Sequence, residues 1–346
     1  MILIRVDASI SIGLGHLLRC VSIAEYLRSI DKKVLFLSKT EYLEKLILNK
    51  GFDLILLDQN ISIEDELAEI EKIINDKIIR TVLLDINNFY TFNDLKSYEY
   101  YLFQLKTLKL YLISFEDPYN CVHTSDIIVI PYLASDKQGL ATKENTKYLL
   151  GLKYYVLRSE FSNVNPIKIK RKTHNLLITM GGADPKNITM KVLNSLKDLR
   201  MKLNLKIIIS DLYQVKEEEI HNLLHSYPGN YSIIRNADNM ARLMSESDIA
   251  IINSGLTKYE TISVGLPTIV ISNNDYHSEL MEDFDNYNVI IHLGEADKLD
   301  GKKILDTVNS LANNYEIRLQ MSEKGKSLLD GHGVERIFAE IPAAYL

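Results

Sequence analysis

The chain is poor in cysteine, lacks tryptophan and has no long apolar run. Its two cysteines, Cys20 and Cys121, cannot form a disulfide framework and do not stand in metal-ligand spacing, which favours a reducing compartment. No apolar stretch reaches the roughly 20 residues that span a bilayer. The N-terminal apolar segment is too short for a signal peptide and is broken by Arg5 and Asp7. We therefore expect a cytoplasmic protein with no membrane insertion.

An excess of positive charge is also missing. The 346 residues carry a formal net charge of -6, so the electrostatic basis for binding nucleic acid is absent. The one basic run, residues 168–172, is more typical of a solvated linker than of a binding patch. With 46% hydrophobic and 25% charged residues, the composition indicates a globular protein long enough for two domains.

A glycine turn near the start of the chain is the first candidate site. Met1–Val6 is a short apolar run that predicts a strand covered on both faces. Gly13 and Gly15 permit a tight turn, and a helix is predicted to begin at about His16. The third glycine of the dinucleotide-binding pattern is missing, because Leu18 occupies its place. A nicotinamide cofactor is therefore disfavoured, and we expect no cofactor.

The start of that helix suggests a chemical role for His16. Unpaired N–H groups and the positive end of the helix dipole favour an anion there and disfavour an imidazolium. A neutral histidine beside a bound phosphate ester can act as a general base. A histidine at this position can equally serve as a simple helix cap, and the spacing does not decide between the two.

Alternating strands and helices predict two doubly wound α/β domains. In the first half, Arg80–Asp85 is an apolar strand that ends in a carboxylate, and the pattern lapses over 131–174. We place the domain boundary there and predict domains at 1–165 and 166–346. Two such domains facing a central cleft resemble the GT-B arrangement. The predicted strands of the first half are 1–6, 33–37, 53–57, 80–85, 108–114 and 126–130, separated by helices at 41–49, 62–75 and 93–106.

The second half repeats the architecture of the first. Gly181 follows its opening strand, in a turn that can bring backbone N–H groups to a phosphate or simply connect strand to helix. Pro185 is predicted near the first turn of the next helix. The predicted strands are 176–180, 205–210, 231–235, 248–252 and 268–272, with helices at 186–199, 214–227, 238–246 and 257–264 and a helical region over 302–339.

Small polar residues after the strand at 248–252 predict a nucleotide site. Ser254, Gly255 and Thr257 can offer N–H and hydroxyl donors to a diphosphate at the start of a helix. One turn later, Glu260 can accept two hydrogen bonds from ribose hydroxyls, or can be an ordinary first-turn carboxylate.

A polar loop follows the last predicted strand. It contains Asn273 and Asn274, which we assign as substrate-facing residues that also cap a helix. His277 and Glu279 are two residues apart and do not share a helical face, so no metal site is predicted.

Several motifs together resemble the UDP-sugar hydrolases of pseudaminic acid biosynthesis and their polysaccharide-biosynthesis relatives. The resemblance runs from residue 5 to about residue 337. The motifs are Arg5-Val-Asp-Ala-Ser9, Ile12-Gly-Leu-Gly-His-Leu-Leu-Arg-Cys20, Tyr155-Val-Leu-Arg-Ser-Glu-Phe161, Gly181-Gly-Ala-Asp-Pro-Lys-Asn-Ile-Thr189, Ser254-Gly-Leu-Thr-Lys-Tyr-Glu260 and Asp330-Gly-His-Gly-Val-Glu-Arg-Ile337.

The resemblance implies a GT-B-like fold and metal-independent hydrolysis of a UDP-linked diacetamido-trideoxy-hexose, a step toward a nonulosonic acid. It implies that His16 is catalytic, with Asp7 in the catalytic set and Gly13 and Gly15 shaping the turn that approaches the nucleotide. It also implies that Gly181, Ser254, Gly255 and Glu260 hold UDP. We expect a monomer whose partner is the UDP-sugar substrate.

The chain departs from the family pattern in two places. Where the family has Val-Asp-His-Tyr, this chain has Leu84-Asp-Ile-Asn87, and Tyr90 is the candidate replacement for the missing tyrosine. The family's Asn-Gln is replaced by Asn273-Asn274. We assign Asn87, Tyr90, Asn273 and Asn274 to the substrate side. A glycosyltransferase that uses a UDP-sugar donor and a non-catalytic nucleotide-sugar binding protein are the alternatives.

Overall fold

A computed structural model describes residues 1–7, 15–41, 44–86, 92, 94–115, 121–133, 145–162, 164 and 167–346. The chain divides into a first unit, residues 1–159 with 331–346, and a second unit, residues 160–330. Each unit contains one wholly parallel β-sheet with the strand order of a doubly wound fold.

The first unit is built on a seven-stranded sheet in the order β3-β2-β1-β4-β5-β6-β7. The order reverses between β1 and β4, which are hydrogen-bonded neighbours. The strands are β1 Ile2–Val6, β2 Val34–Ser38, β3 Asp53–Leu56, β4 Thr81–Asp85, β5 Tyr111–Phe115, β6 Ile127–Ile130 and β7 Lys147–Leu150. The described residues before 159 include the helices α1 Gly15–Ser29, α2 Glu44–Asn49, α3 Ile63–Lys77 and α4 Leu95–Thr107.

Helices cover both faces of this sheet. In β1, Ile2, Ile4 and Val6 pack on the face that carries α1, whereas Leu3 packs on the face that carries α3 and α4. Both faces of the strand are thus buried, which explains why its sequence is apolar without alternation.

Strand β7 lies inside the stretch where the sequence pattern lapses, so the prediction missed it. Of its four residues only Leu149 is buried, because β7 is the edge strand of the sheet. A short edge strand has one paired side and a weak apolar signal.

The second unit is built on a six-stranded sheet in the order β10-β9-β8-β11-β12-β13, with its reversal between β8 and β11. Its last strand, β13, was also not predicted. The strands are β8 Asn175–Thr179, β9 Asn204–Ile209, β10 Tyr231–Arg235, β11 Ile249–Asn253, β12 Thr268–Ser272 and β13 Ile291–Glu295. The helices are α5 Ile188–Leu196, α6 Glu217–Leu223, α7 Met240–Ser245, α8 Thr257–Val264, α9 Asp275–Glu279, α10 Glu282–Asn286, α11 Gly301–Asn313 and α12 Tyr315–Leu328.

Helix α5 begins two residues later than the sequence predicts. The carboxylate of Asp184 accepts hydrogen bonds from the N–H groups of Ile188 and Thr189, both at 2.8 Å. These are first-turn donors with no intrahelical acceptor, so Asp184 fixes where the helix starts and Pro185 lies before it.

The end of the chain belongs to the first unit, which differs from the predicted domain at 166–346. Helix α13, Gly333–Ala339, places Val334, Ile337 and Phe338 in the core on the α1 face of the first sheet. The Phe338 and Tyr26 ring centroids are 5.8 Å apart. Burial of this apolar stripe is what draws residues 331–346 to the first unit.

Across the described parts of the chain, every helix is too short or too polar to cross a membrane.

The assignment of α13 predicts a local loss of stability. Phe338 is 2% exposed, so Phe338→Ala should lower the free energy of unfolding by about 3 to 5 kcal/mol. Hydrogen exchange should show the loss of protection in the strands of the first sheet. Phe103→Ala, at a residue of α4 that is 57% exposed, is the matched control and should change stability by less than about 0.5 kcal/mol. Loss of protection mainly in β8–β13 would contradict the assignment.

Candidate functional site

His16 and Asp85 meet at the strand-order reversal of the first sheet. Val6, at the end of β1, is the register partner of Asp85, at the end of β4. Helix α1 begins at Gly15, so its second residue, His16, stands beside Asp85. The Nδ1 atom of His16 lies 2.6 Å from Oδ1 of Asp85. In open α/β sheets, ligands bind at the carboxyl ends of the strands where the order reverses.

The distance between His16 and Asp85 fixes the tautomer of the imidazole. Two acceptor atoms do not approach to 2.6 Å, so Nδ1 carries a proton and donates it to the carboxylate. In the neutral ring the lone pair is then on Nε2. A nitrogen oriented in this way can accept a proton from a reacting group.

Arg19, one turn along α1 from His16, shares the same carboxylate. Its Nε donates to Oδ2 of Asp85 and its Nη2 to Oδ1, both at 2.7 Å. The guanidinium also lies 4.7 Å from the centroid of the Phe115 ring. Burial by itself would raise the pKa of Asp85, but Arg19 and His16 outweigh burial and hold that pKa well below its usual value. Asp85 is therefore ionised at neutral pH and pairs with both side chains.

Asp7 lies in a separate buried ion cluster. Its Oδ1 is 2.7 Å from Nη1 of Arg5, which is fully buried, and it accepts the backbone N–H of Lys39 at 2.9 Å. Burial alone would raise the pKa of Asp7, but the charge of Arg5 outweighs it and the pKa is lowered. Asp7 thus joins the end of β1 to the end of β2.

Glu66 of α3 closes that cluster on its other side. Its Oε1 accepts from Nε of Arg5 at 2.7 Å and from the hydroxyl of Tyr101 at 2.8 Å, and Lys39 Nζ lies 2.5 Å from its Oε2. Two carboxylates and two cations balance in charge. This balance is what lets Arg5 remain in the interior of a parallel sheet.

The second sheet brings two predicted motifs together at its own strand-order reversal. Asn253, at the end of β11, donates from Nδ2 to the carbonyl of Met180 at 2.7 Å. Gly181 follows Met180 with φ of +80°, and a Cβ there would lie 3.2 Å from Asn253 Nδ2. The positive φ favours glycine at 181, and a Cβ there would also crowd the Asn253 side chain.

The turn before α8 places Ser254, Gly255 and Thr257 at the same point. Gly255 donates its N–H to Oδ1 of Asn253 at 3.1 Å, so this N–H shapes the turn and is already used within the chain. Thr257 is the first residue of α8, and first-turn N–H groups have no intrahelical acceptor. Glu260 is buried on that helix at 8% exposure. The arrangement can present N–H donors and a hydroxyl to an anion.

The predicted substrate-side residues and Gly13 do not lie at either strand-order reversal among the described residues. Asn274 caps α9, because its side chain accepts the N–H of His277 at 2.9 Å. Asn273, immediately before it, is half-buried. Gly13, Asn87 and Tyr90 lie outside the described residues.

Asp85 and Arg19 were not predicted as site residues, although each lies in a stretch that was compared with the family pattern. A strand that ends in a carboxylate at Asp85 was the available signal. Its meaning depends on which strand lies next to β1, and the strand order is a tertiary property.

The shared carboxylate predicts a pH-dependent stability difference. Asp85→Asn removes the counter-charge of Arg19, whose side chain is 9% exposed, and should lower the free energy of unfolding at pH 7 by about 3 to 5 kcal/mol. Because the pKa of Asp85 is lower in the folded chain, its stabilisation is present above about pH 4 and is lost as the pH falls below that.

Urea unfolding at pH 7 and pH 3 measures this difference, which should shrink at pH 3. Asp53→Asn, at an exposed residue of β3, is the control and should have little effect at either pH. An equal gap between wild type and Asp85→Asn at both pH values would contradict the ion-pair account.

Two curated relatives match the chain in sequence. An uncharacterized protein of Methanocaldococcus jannaschii is 28% identical over 351 aligned residues, covering 95% of this chain and 69% of the relative. The spore coat polysaccharide biosynthesis protein SpsG of Bacillus subtilis is 24% identical over 228 residues, covering 65% of this chain and 66% of SpsG. The chain thus spans about two thirds of the length of each of these relatives.

The fold is shared with solved glycosyltransferases. MurG of Acinetobacter baumannii superposes with a TM-score of 0.71 at 13% identity, covering 98% of both chains. The prediction of two Rossmann-type domains of the GT-B class is confirmed by this match and by the two sheets. Residues 175–329 match the model of the glycosyltransferase family 28 C-terminal domain. The chain has the GT-B fold, and residues 175–329 of its second unit are similar to the C-terminal domain of glycosyltransferase family 28.

Proposed function

We propose that the protein hydrolyses a UDP-linked sugar to UDP and free sugar. The observation that carries the proposal is the 2.6 Å contact between His16 Nδ1 and Asp85, which orients a histidine as a base at the strand-order reversal of the first sheet. The GT-B fold and the match to glycosyltransferase family 28 support a nucleotide sugar as the substrate.

His16 is the general base in this proposal. The oxygen of a water molecule forms a bond to the anomeric carbon, and the bond from that carbon to the β-phosphate oxygen breaks. The proton of the water passes to Nε2 of His16, and the bonding electrons leave with UDP. Asp85 keeps Nδ1 protonated and stabilises the imidazolium that forms. The reaction requires no cofactor.

The nucleotide is assigned to the second unit. Ser254 and the first turn of α8 from Thr257 bind the diphosphate, and Glu260 binds the ribose. Gly181 and Gly255 shape the turns, since a side chain at either would press on Asn253. Asp7 serves as a positioning residue through Arg5 and Lys39.

The proposed sugar is a diacetamido-trideoxy-hexose. The support is the resemblance of the sequence motifs to the hydrolases of pseudaminic acid biosynthesis, together with the similarity to SpsG, whose name refers to polysaccharide biosynthesis. Asn87, Tyr90, Asn273 and Asn274 are the proposed substrate-side residues.

Replacing His16 tests the base. His16→Ala should lower kcat by about 10² to 10⁴, the usual contribution of a positioned base, and should leave the Kd for UDP within about twofold. The measurement is release of UDP from the UDP-linked diacetamido-trideoxy sugar, with Kd determined by calorimetry. His225→Ala, at an exposed histidine of the second unit, is the control and should keep wild-type turnover. Unchanged turnover in His16→Ala would remove His16 from the mechanism.

A glycosyltransferase is the second candidate, favoured by the family 28 match over residues 175–329. Incubation of the UDP-sugar without any acceptor separates the two functions, because only the hydrolase releases free sugar and UDP in stoichiometric amounts. Anomeric proton NMR follows both products over time. Turnover only on addition of an alcohol acceptor would establish the transferase, and binding without any product would indicate a nucleotide-sugar binding protein.

A further inference from the structure

Lys258 of α8 is a buried lysine that contacts the proposed diphosphate turn. Its Nζ donates to the carbonyl of Ser254 and to the carbonyl of Gly255, each at 3.2 Å. The residue is 6% exposed. Lys258 therefore connects the first turn of α8 to Ser254 and Gly255 in the turn before it.

No carboxylate neutralises this cation among the described residues. Its surroundings are aromatic, with Nζ 4.4 Å from the ring centroid of Tyr259 and 5.4 Å from that of Phe284. Burial lowers the pKa of Lys258 to about 7, and no ion pair offsets that shift. In contrast, the buried Arg5 and the half-buried Arg19 of the first unit both contact carboxylates.

Polar atoms near Lys258 also lack hydrogen-bond partners within the described chain. They are Oγ of Ser254, whose carbonyl Lys258 contacts, and Nδ1 of His277, both buried. His277 is close enough to Lys258 for the charge of the lysine to lower its pKa, an effect added to that of burial. Buried polar groups are normally paired, so this cluster of donors around an uncompensated cation fits an anionic ligand.

We propose that Lys258 is the positioning and charge-compensating residue for the diphosphate, and that nucleotide binding protonates it. The inference rests on the proposed nucleotide site at Ser254–Glu260. The lysine acts through the turn that it holds, and its positive charge becomes favourable only when the anion is present. The same charge then stabilises the diphosphate as it leaves the sugar.

If UDP binding and protonation of Lys258 are coupled, the coupling can be measured directly. If the anion favours the charged lysine, UDP binding takes up a proton at pH values above the pKa of Lys258 in the free protein, which is about 7. The Kd for UDP should then rise by up to about tenfold per pH unit above pH 7. UDP itself is fully ionised in that range, because the second phosphate pKa is near 6.

The other ionisable groups around α8 are not expected to produce the same rise of the Kd for UDP with pH above pH 7. His277 on α9 has a lowered pKa and is neutral above pH 7. Glu260 lies on α8 itself, two residues from Lys258. On α7, Arg242 is exposed and paired with Glu246. The flanking groups of α10 and α12 are the exposed carboxylates Glu282, Asp283 and Asp285 and the half-buried Lys326.

Calorimetry of the full chain tests proton uptake. UDP is titrated at pH 8 in two buffers of different ionisation enthalpy, and the difference in observed heat gives the number of protons bound. Uptake approaching one proton is expected for UDP, and none for uridine, which lacks phosphate. This measurement needs no variant, so it decides the question even if a substitution prevents folding.

Lys258→Met separates this role from a structural one. The apolar stem is retained and the cost of a buried cation is removed, so the thermal midpoint without nucleotide should be no lower than that of wild type at pH 7. Proton uptake should disappear, and the Kd for UDP should weaken by about tenfold or more. Lys326→Met, whose stem packs against Gly265 at the other end of α8, is the control and should bind UDP normally.

The outcomes distinguish this inference from the proposed function. If UDP binds wild type without proton uptake and Lys258→Met binds it equally well, only the role of Lys258 is overturned. If UDP does not bind wild type at all, the nucleotide site and this inference both fail. A lowered midpoint in Lys258→Met with unchanged proton uptake would make the lysine purely structural.

Discussion

The parallel register between β1 and β4 is the constraint on which the first unit depends. It sets Val6 opposite Asp85, so that the carboxylate lies at the start of the helix that follows β1. His16 and Arg19 then reach the same carboxylate from successive turns of α1. A shift of one residue in this pairing would turn Asp85 toward the other face of the sheet and separate the three side chains.

The second sheet uses the same geometry with different chemistry. Thr179 of β8 is the register partner of Ile252 of β11, and Asn253 joins the two strand ends through Met180. The polar residues at this reversal are amides, hydroxyls and backbone groups. A turn of this composition is suited to an anion, whereas the reversal of the first sheet holds a proton-accepting side chain.

The two units differ in whether their buried basic side chains are paired with carboxylates. Arg5 and Arg19 are each matched by carboxylates, so their ion clusters are complete within the chain. Lys258 contacts the carbonyls of Ser254 and Gly255 and two aromatic rings, and among the described residues no carboxylate pairs with it. Folding alone does not favour an uncompensated buried cation, and the proposed diphosphate ligand would supply the opposite charge. The fold itself does not choose between water and an alcohol as acceptor, because function is decided by the site.

The sequence alone determined the fold class, the main strands of both sheets and the turn residues. The mainly apolar run Ile2–Val6 predicts a strand buried on both faces, and the glycine at 181 predicts a turn, in which the structure shows a positive φ. These are local properties, so periodicity and residue type suffice to predict them. The short edge strand β7 and the start of α5 at Ile188 were harder to predict from the sequence. The residues of β7 are mostly not buried, which weakens the apolar pattern, and the Asp184 side chain sets the first residue of α5.

Tertiary structure alone decided which distant residues act together. Asp85 is 69 positions from His16, and their contact depends on the strand order β1-β4. The return of α13 to the first unit depends on where its apolar stripe finds a complementary core. Likewise, nothing in the letters around Lys258 indicates a buried cation without a counter-ion, because burial and the absence of a partner are set by the packing of α8 against its neighbours. Spacing along the chain carries no information about such contacts, since the free energy that selects them comes from burial across the whole sheet.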